Sequence, residues 1–213
     1  MGLESLSRRN LGENQKRFNN PANFRQVVQR LHERKISLQG CFVFGLDDDT
    51  PEVFLETARF AVEAGIDLPR FAIVTPFPGT KLYNQLESEG RILTRNWELY
   101  DGQHVVFQPA GMSVGALQQG NEMAWKYAYS WSGIARRLRR SPASWSLGLL
   151  TNFGYRYYAY RLNKFYHCDW SSDRPAPSRS ELPIASTLSL ETDNRMALGA
   201  KAVPISTAPE PES

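Results

Sequence analysis

The stretch from Gly40 to Thr80, GCFVFGLDDDTPEVFLETARFAVEAGIDLPRFAIVTPFPGT, constrains the chain more than any other. Residues 37–44 form a short apolar run bounded by turn signals, the pattern of a buried parallel strand. Asp47-Asp48-Asp49 cannot continue it, so the strand ends in an acidic turn. Thr50 suits an N-cap, Pro51 the first helical position and Glu52 the positive helix start. Phe54, Ala58, Ala61 and Val62 recur at helical spacing, and Gly65 suits a helix stop. Residues 71–74 read as a second buried strand, closed by Thr75-Pro76-Phe77-Pro78-Gly79-Thr80. Strand, helix and strand make a βαβ unit, which implies a parallel sheet with a right-handed crossover. Both turns follow the carboxyl ends of strands, the edge at which parallel α/β folds bind ligands.

The flanks extend this pattern. Gly2-Leu3-Glu4-Ser5 has room for a short strand only, and Asn20-Pro21 opens a helix with Phe24, Val27, Val28 and Leu31 on one face. After the second strand, residues 81–88 predict a short helix stopped by Gly90, and residues 104–107 predict a strand. Ser113 caps a predicted long helix carrying Leu117, Ala124, Ala128, Trp131, Ile134 and Leu138. It ends in the run Arg136-Arg137-Leu138-Arg139-Arg140, where positive charge suits a helix C-terminus. Pro142 breaks the pattern before a tyrosine-rich helix over about residues 145–167. From Ser171 the composition shifts to Pro, Ser, Ala and acidic residues, which predicts a disordered tail. The predicted organisation is βα units over residues 1–92, a mostly helical accessory region over 93–170 and the tail over 171–213.

Composition narrows the function classes. A net charge of +3 gives no electrostatic case for a nucleic-acid partner. Cys41 and Cys168 lie too far apart for a disulfide framework or a metal-ligand pair, so a reducing cytoplasm is expected. No apolar run is long enough to span a bilayer, and Met1 does not open a signal-peptide pattern.

Pattern alone leaves a barrel and an open doubly wound sheet as alternatives. Three motifs in order point further. Gly2-Leu3-Glu4-Ser5 followed by a basic segment to Asn20-Pro21, the G-x-x-x-x-G of Gly40–Gly45 with its acidic turn, and Thr75-Pro76-Phe77-Pro78-Gly79-Thr80-Lys81-Leu82-Tyr83 together resemble the second half of a radical S-adenosylmethionine (SAM) core. The resemblance is to the type that follows a cobalamin-binding domain, and it covers about residues 2–140, including Trp97, Tyr100-Asp101 and His104-Val105 in the accessory region. It implies half of a TIM-type barrel. It also implies a whole enzyme in which a [4Fe–4S] cluster cleaves SAM reductively to a 5′-deoxyadenosyl radical. Methyl transfer with cobalamin onto a small, lipid-like substrate would follow. The family holds its cluster by C-x-x-x-C-x-x-C, and clusters of this kind need cysteine thiolates. The sequence has no such triplet, so neither the cluster nor cobalamin is expected on residues of this chain.

What the resemblance assigns to this chain is a share of the SAM site. Glu4 and Ser5 would face the ribose and amino-acid end, Gly40 and Gly45 would let adenine approach the backbone, and Val74, Thr75 and Pro76 would pack on the adenine. No catalytic residue and no metal ligand is assigned. Each position also has an ordinary reading. Glu4-Ser5 suits a solvated terminus, the glycines suit turns, and Thr75–Thr80 suits a rigid connection. Phe42 and Phe44 alternate with Cys41 and Val43, so one pair faces the barrel interior, and Cys41 reads as an inert core thiol. The acidic turn serves a helix start better than a metal, and His104 suits a hydrogen-bonded structural role. The second functional reading is a non-catalytic α/β assembly module, either a remnant or a half-barrel completed by an N-terminal half in the same or another chain. Two unpaired strand edges would make such a half prone to associate. The third is a peripheral contact with the inner membrane surface through the basic, aromatic helices.

Overall fold

A computed structural model of the chain describes residues 1–7, 9–10, 20–142 and 145–162. Three strands, β1 (Gly2–Glu4), β2 (Gln39–Phe44) and β3 (Leu68–Ile73), pair in parallel in the order β1-β2-β3. Helix α1 (Phe24–Glu33) precedes β2, and α2 (Val53–Ala64) crosses from β2 to β3. After β3 come α3 (Lys81–Ser88), α4 (Val114–Ala128), α5 (Trp131–Leu138) and α6 (Trp145–Ala159). The fold is α/β, built of parallel βα units. Three parallel strands are compatible with part of a βα fold, and the expected tail lies outside the described residues.

Local chemistry sets the helix ends. Asn20 accepts from Ala22 N at 3.2 Å and starts a 3₁₀ turn, Pro21–Asn23, so α1 proper begins at Phe24. Thr50 does not cap α2. It hydrogen-bonds the Glu52 carboxylate, holding it below the usual carboxylate range, and its carbonyl accepts from Val53 N at 3.0 Å. A turn therefore occupies Pro51-Glu52 and the helix starts at Val53. Gly65 ends α2 in the left-handed region, as its sequence position predicts. Ser113 caps α4 by accepting from Ala116 N at 3.1 Å.

One face of the sheet is packed. Leu3, Phe42, Phe44, Phe71 and Ile73 are buried together with Phe54, Ala58 and Ala61 of α2 and Trp125 of α4. Phe71 stacks between Phe42 and Phe44, at 5.9 and 5.7 Å, and Trp125 meets its edge at 5.7 Å. Offset and edge-on aromatic pairs of this kind add about 0.5–1.5 kcal/mol each beyond their buried area.

The outer edge of β3 is closed by side chains. Carbonyls on this edge would go unsatisfied if buried without donors. The Tyr129 hydroxyl donates to Pro69 O at 2.9 Å, and Trp125 Nε1 and Gln103 Nε2 each donate to Phe71 O at 3.0 Å. Gly102 O accepts from Ile73 N at 2.7 Å. The expectation of two unpaired strand edges therefore fails at β3, because Tyr129, Trp125 and the 101–104 turn pair Pro69 O, Phe71 O and Ile73 N of that edge. The same arrangement explains why β3 begins at Leu68, three residues before the predicted start. Pro69 has no N–H, and its carbonyl points to the outer edge, where no ladder needs that donor.

Three further expectations are corrected. The predicted helix from Ser113 to the arginine run is two helices, because Ser130 caps α5 by accepting from Gly133 N at 3.1 Å. Residues 104–107 are not a strand. Phe107 makes one antiparallel bridge to Ile92, flanked by Leu93 N to Val106 O and Gln108 N to Arg91 O. Helix α6 ends at Ala159, and residues 163–167 of its predicted span lie outside the described residues.

Candidate functional site

Because the strands are parallel and adjacent, Glu4-Ser5, Gly45 and Val74-Thr75-Pro76 all follow carboxyl ends on one edge. Glu4 has φ +66°, in the left-handed region, and Ser5 N donates to Leu3 O at 2.9 Å across it. For a residue with a Cβ this conformation costs about 1–2 kcal/mol. It folds the carboxylate back over β1: a Cβ added at Gly2 would lie 2.5 Å from Glu4 Oε1. Ser5 is buried, and its Oγ accepts from Ser7 N at 3.0 Å. Val74 N donates to Phe44 O at 2.8 Å, extending the β2–β3 ladder to the edge. Thr75 Oγ1 donates back to Ile73 O at 3.1 Å, and Pro76 is buried beside the exposed Phe77.

The two glycines differ. Gly45 has φ +92°, and a Cβ there would lie 2.9 Å from Leu117 Cδ2, so both backbone conformation and packing demand glycine. Gly40 lies on the packed face, where a Cβ would meet Leu3 and Ile66 at 3.0 Å. Packing alone accounts for glycine at 40.

The second face of the sheet is the open one. Gln39, Cys41 and Val43 of β2 and Leu68, Arg70 and Ala72 of β3 alternate with the buried residues, and Arg70 is exposed. Cys41 pairs with Arg70 and Val43 with Ala72 across the strands. Cys41 is thus half-buried on the open face and not in the packed core where it was expected. Period-two alternation puts Phe42 and Phe44 against helices and leaves Cys41 and Val43 facing away from them.

The acidic turn braces the edge. Asp49 Oδ2 accepts from Gly45 N at 2.9 Å and Leu46 N at 3.1 Å, and Oδ1 accepts from Asn10 Nδ2 at 2.8 Å. Burial raises its pKa from 3.8 to about 6, against those hydrogen bonds. Asp47 pairs with Arg91 at 2.8 Å and Asp48 with Arg9 at 2.7 Å. Sequence reasoning saw a helix start here and missed that Asp49 ties the β2 end to Asn10. An aspartate four residues after a strand-ending glycine, able to accept that glycine's N–H, was the available signal.

A second turn, Asp101–His104, flanks the end of β3. Asp101 accepts from Gln103 N at 2.8 Å, His104 N at 3.1 Å and the His104 ring at 2.8 Å. Burial pushes Asp101 upward, but these bonds outweigh it and hold its pKa below the usual value. A Cβ added at Gly102 would lie 3.8 Å from Ala72 Cβ and 4.0 Å from Thr75 Oγ1, which places this turn against the edge.

A [4Fe–4S] cluster does not fit the residues present. The chain has two cysteines, Cys41 and Cys168, and among the described residues no three His, Cys, Asp or Glu side chains converge as a metal site. SAM is a different matter. A bent-back carboxylate at Glu4 can accept from hydroxyls or an ammonium, and Val74, Thr75 and Pro76 follow the strand two places away.

No protein-family model matches the chain. Bacteriochlorophyllide d C-12(1)-methyltransferase of Chlorobaculum tepidum is 33% identical over 145 residues, covering 68% of this chain and 31% of that protein. Bacteriochlorophyllide d C-8(2)-methyltransferase of the same organism is 26% identical over 156 residues, covering 73% of this chain and 34% of that protein. Anaerobic magnesium-protoporphyrin IX monomethyl ester cyclase of Cereibacter sphaeroides is 25% identical over 123 residues, covering 54% of this chain and 20% of that protein. The chain belongs to the cobalamin-binding type of radical SAM proteins. It matches about a third or less of the length of these relatives.

Proposed function

We propose that this chain supplies one side of the SAM and substrate site of a radical SAM enzyme acting on a magnesium tetrapyrrole. The observation that carries the reading is the shared edge: Glu4-Ser5, Gly45 and Val74–Pro76 follow the carboxyl ends of three adjacent parallel strands. Kinship with two bacteriochlorophyllide methyltransferases supports the substrate class, in place of a lipid-like one. In the whole enzyme, a cluster held by a cysteine triplet outside this sequence would supply the electron that cleaves SAM.

This chain's own residues would bind and orient. The Glu4 carboxylate accepts hydrogen bonds from the ribose hydroxyls or the ammonium of SAM. Val74 and Pro76 give the adenine an apolar wall, and Asp49 holds the Gly45 turn rigid beneath it. The open face, with Cys41, Val43, Arg70 and Ala72, leads away from this edge and faces the substrate. Exposed Arg70 is the cation there that suits a tetrapyrrole carboxylate.

The experiment is reconstitution. A polypeptide carrying the C-x-x-x-C-x-x-C triplet, with its cluster rebuilt under anaerobic conditions, is assayed for 5′-deoxyadenosine with and without this chain. The reading expects 5′-deoxyadenosine only when both are present, and about tenfold less with Glu4→Ala, the loss of about one charge-assisted hydrogen bond. Equal product without this chain would instead support the second reading, a non-catalytic assembly module. The closed β3 edge gives that reading its own observation, because an added strand would join at β1 rather than β3.

A further inference from the structure

Helix α6 is apolar on two opposite faces. At about 100° per residue, Gly148, Asn152, Tyr155 and Ala159 form one face and Leu147, Leu150, Phe153 and Tyr157 the other, about 180° away. The first face packs inward: Gly148, Asn152 and Ala159 are buried, and Tyr155 stacks on Trp125 and Tyr129 at 6.3 and 5.4 Å. Among the described residues the second face meets no core. Leu147, Leu150, Phe153, Tyr157, Tyr160 and Trp131 of α5 are each between 46% and 71% exposed. They form one stripe, since Trp131 touches Phe153 edge-on at 5.2 Å. An amphipathic surface helix would carry charge on this side. A contiguous apolar patch of this kind marks an interaction surface.

The segment that carries the stripe has formal charge of one sign, and Glu122, just before it, pairs with Lys126 at 3.0 Å. Residues 123–162 contain six arginines and one lysine, and no aspartate or glutamate. Arg137 is not part of this surface. It is fully buried, giving hydrogen bonds to Asp67 O and, at 3.0 Å, to Ala128 O. Arg136, Arg139, Arg140 and Arg161 are exposed. Arg156 lies over the Trp131 and Tyr160 rings at 4.4 and 4.3 Å, and Arg161 over Tyr157 at 4.8 Å. Guanidinium groups are thus interleaved with the aromatic rings, with Leu147 and Leu150 beyond them. Aromatic rings and arginines suit the headgroup layer, and the leucines suit the acyl boundary beneath it.

We infer that the outer face of α6, with Trp131, docks this protein onto an anionic lipid surface, lying along it and not crossing it. Among the described residues no helix is long and apolar enough to cross a membrane. The 15-residue helix is about 22 Å long, enough to lie in the interface. Charge complementarity selects the lipid: each basic residue near an anionic surface favours binding by about fivefold. This inference does not depend on the SAM reading.

The test is flotation of the full chain with vesicles of phosphatidylcholine alone or with about a third phosphatidylglycerol. The protein is expected to float with the anionic vesicles, to stay behind with neutral ones, and to be released as salt rises. Leu147→Gln, Leu150→Gln and Phe153→Gln together remove the stripe, and retained far-UV circular dichroism checks the fold. Binding should fall at least tenfold. Arg136→Gln with Arg139→Gln leaves the stripe intact, and should lower binding about tenfold or more on anionic vesicles alone. Failure of the wild-type chain to float, or equal flotation of either variant, would overturn the inference. So would a salt-insensitive wild-type oligomer that the stripe substitutions turn into a monomer without changing flotation, because a second copy would then be the occupant.

Discussion

Tyr129→Phe isolates the closure of β3 in a single atom. Tyr129 is fully buried, and burial holds its phenol well above the usual pKa, so it acts as a neutral donor. Its hydroxyl supplies the hydrogen bond that the structure gives Pro69 O, at 2.9 Å. Phenylalanine keeps the ring and its stacks on Trp125 and Tyr155, at 5.7 and 5.4 Å. The substitution leaves a buried carbonyl without that donor and opens no cavity larger than an oxygen atom. The cost should be about 2 kcal/mol, or roughly 4–8 °C in melting midpoint for a chain of this size. Urea unfolding followed by tryptophan fluorescence measures it, with an unchanged slope against denaturant. Tyr160→Phe is the control. Its exposed hydroxyl reaches Lys126 O at only 3.5 Å, and its loss should cost under about 0.5 kcal/mol. If Tyr129→Phe costs no more than the control, side chains do not close this edge and the account of β3 is wrong.

Other outcomes follow from the same geometry. The Asp49 pKa is 3.8 unfolded and about 6 folded, so the folded state keeps a proton that the unfolded chain has released between those values. Its contribution is full below about pH 4 and is lost as pH rises through 6, with an upper bound of about 3 kcal/mol. The urea midpoint should therefore fall more steeply from pH 4 to pH 7 in the wild type than in Asp49→Asn, and parallel slopes would count against it. Gly45→Ala forces φ +92° on a residue with a Cβ and crowds Leu117, so a loss of about 2 kcal/mol is expected in thermal melts. A neutral result would mean the β2 turn is not held as described. Cys41, half-buried on the open face, should react with a maleimide in a native Cys168→Ser chain well before unfolding. Protection until the melt would put it in the core.

Much of the scaffold was legible because its signals are local. The apolar run of β2, the spacing of Phe54, Ala58, Ala61 and Val62, the glycine stop at 65 and the Ser113 cap all act within a few residues. What was missed depends on distant partners. Pro69 looks like a strand breaker until Tyr129, 60 residues away, turns its position into an edge. The break between α4 and α5 hides in apolar spacing that runs straight through Tyr129-Ser130, although Ser130 was a visible cap. Arg137 sits in a run of arginines that reads as solvated, yet it is the one turned inward over the Tyr129 ring, at 4.8 Å. Burial lowers its pKa, although Tyr129 and Asp67 act in the other direction. At the candidate site, the strand ends were readable from the motifs. The hydrogen-bonded role of His104 was readable too, and Asp101 fulfils it at 2.8 Å. The Asp49–Asn10 brace and the packing of the Asp101–His104 turn beside Thr75 were not, because each depends on another segment.

The central claim is that SAM lies along the carboxyl edge of β1, β2 and β3. Photo-crosslinking with an adenine-azido SAM analogue in the reconstituted assembly, followed by peptide mapping, tests it most directly. The account predicts labelling within residues 71–81, suppressed by excess SAM and reduced by Glu4→Ala. Labelling confined to the triplet-bearing polypeptide, or label on this chain that excess SAM does not displace, would contradict it.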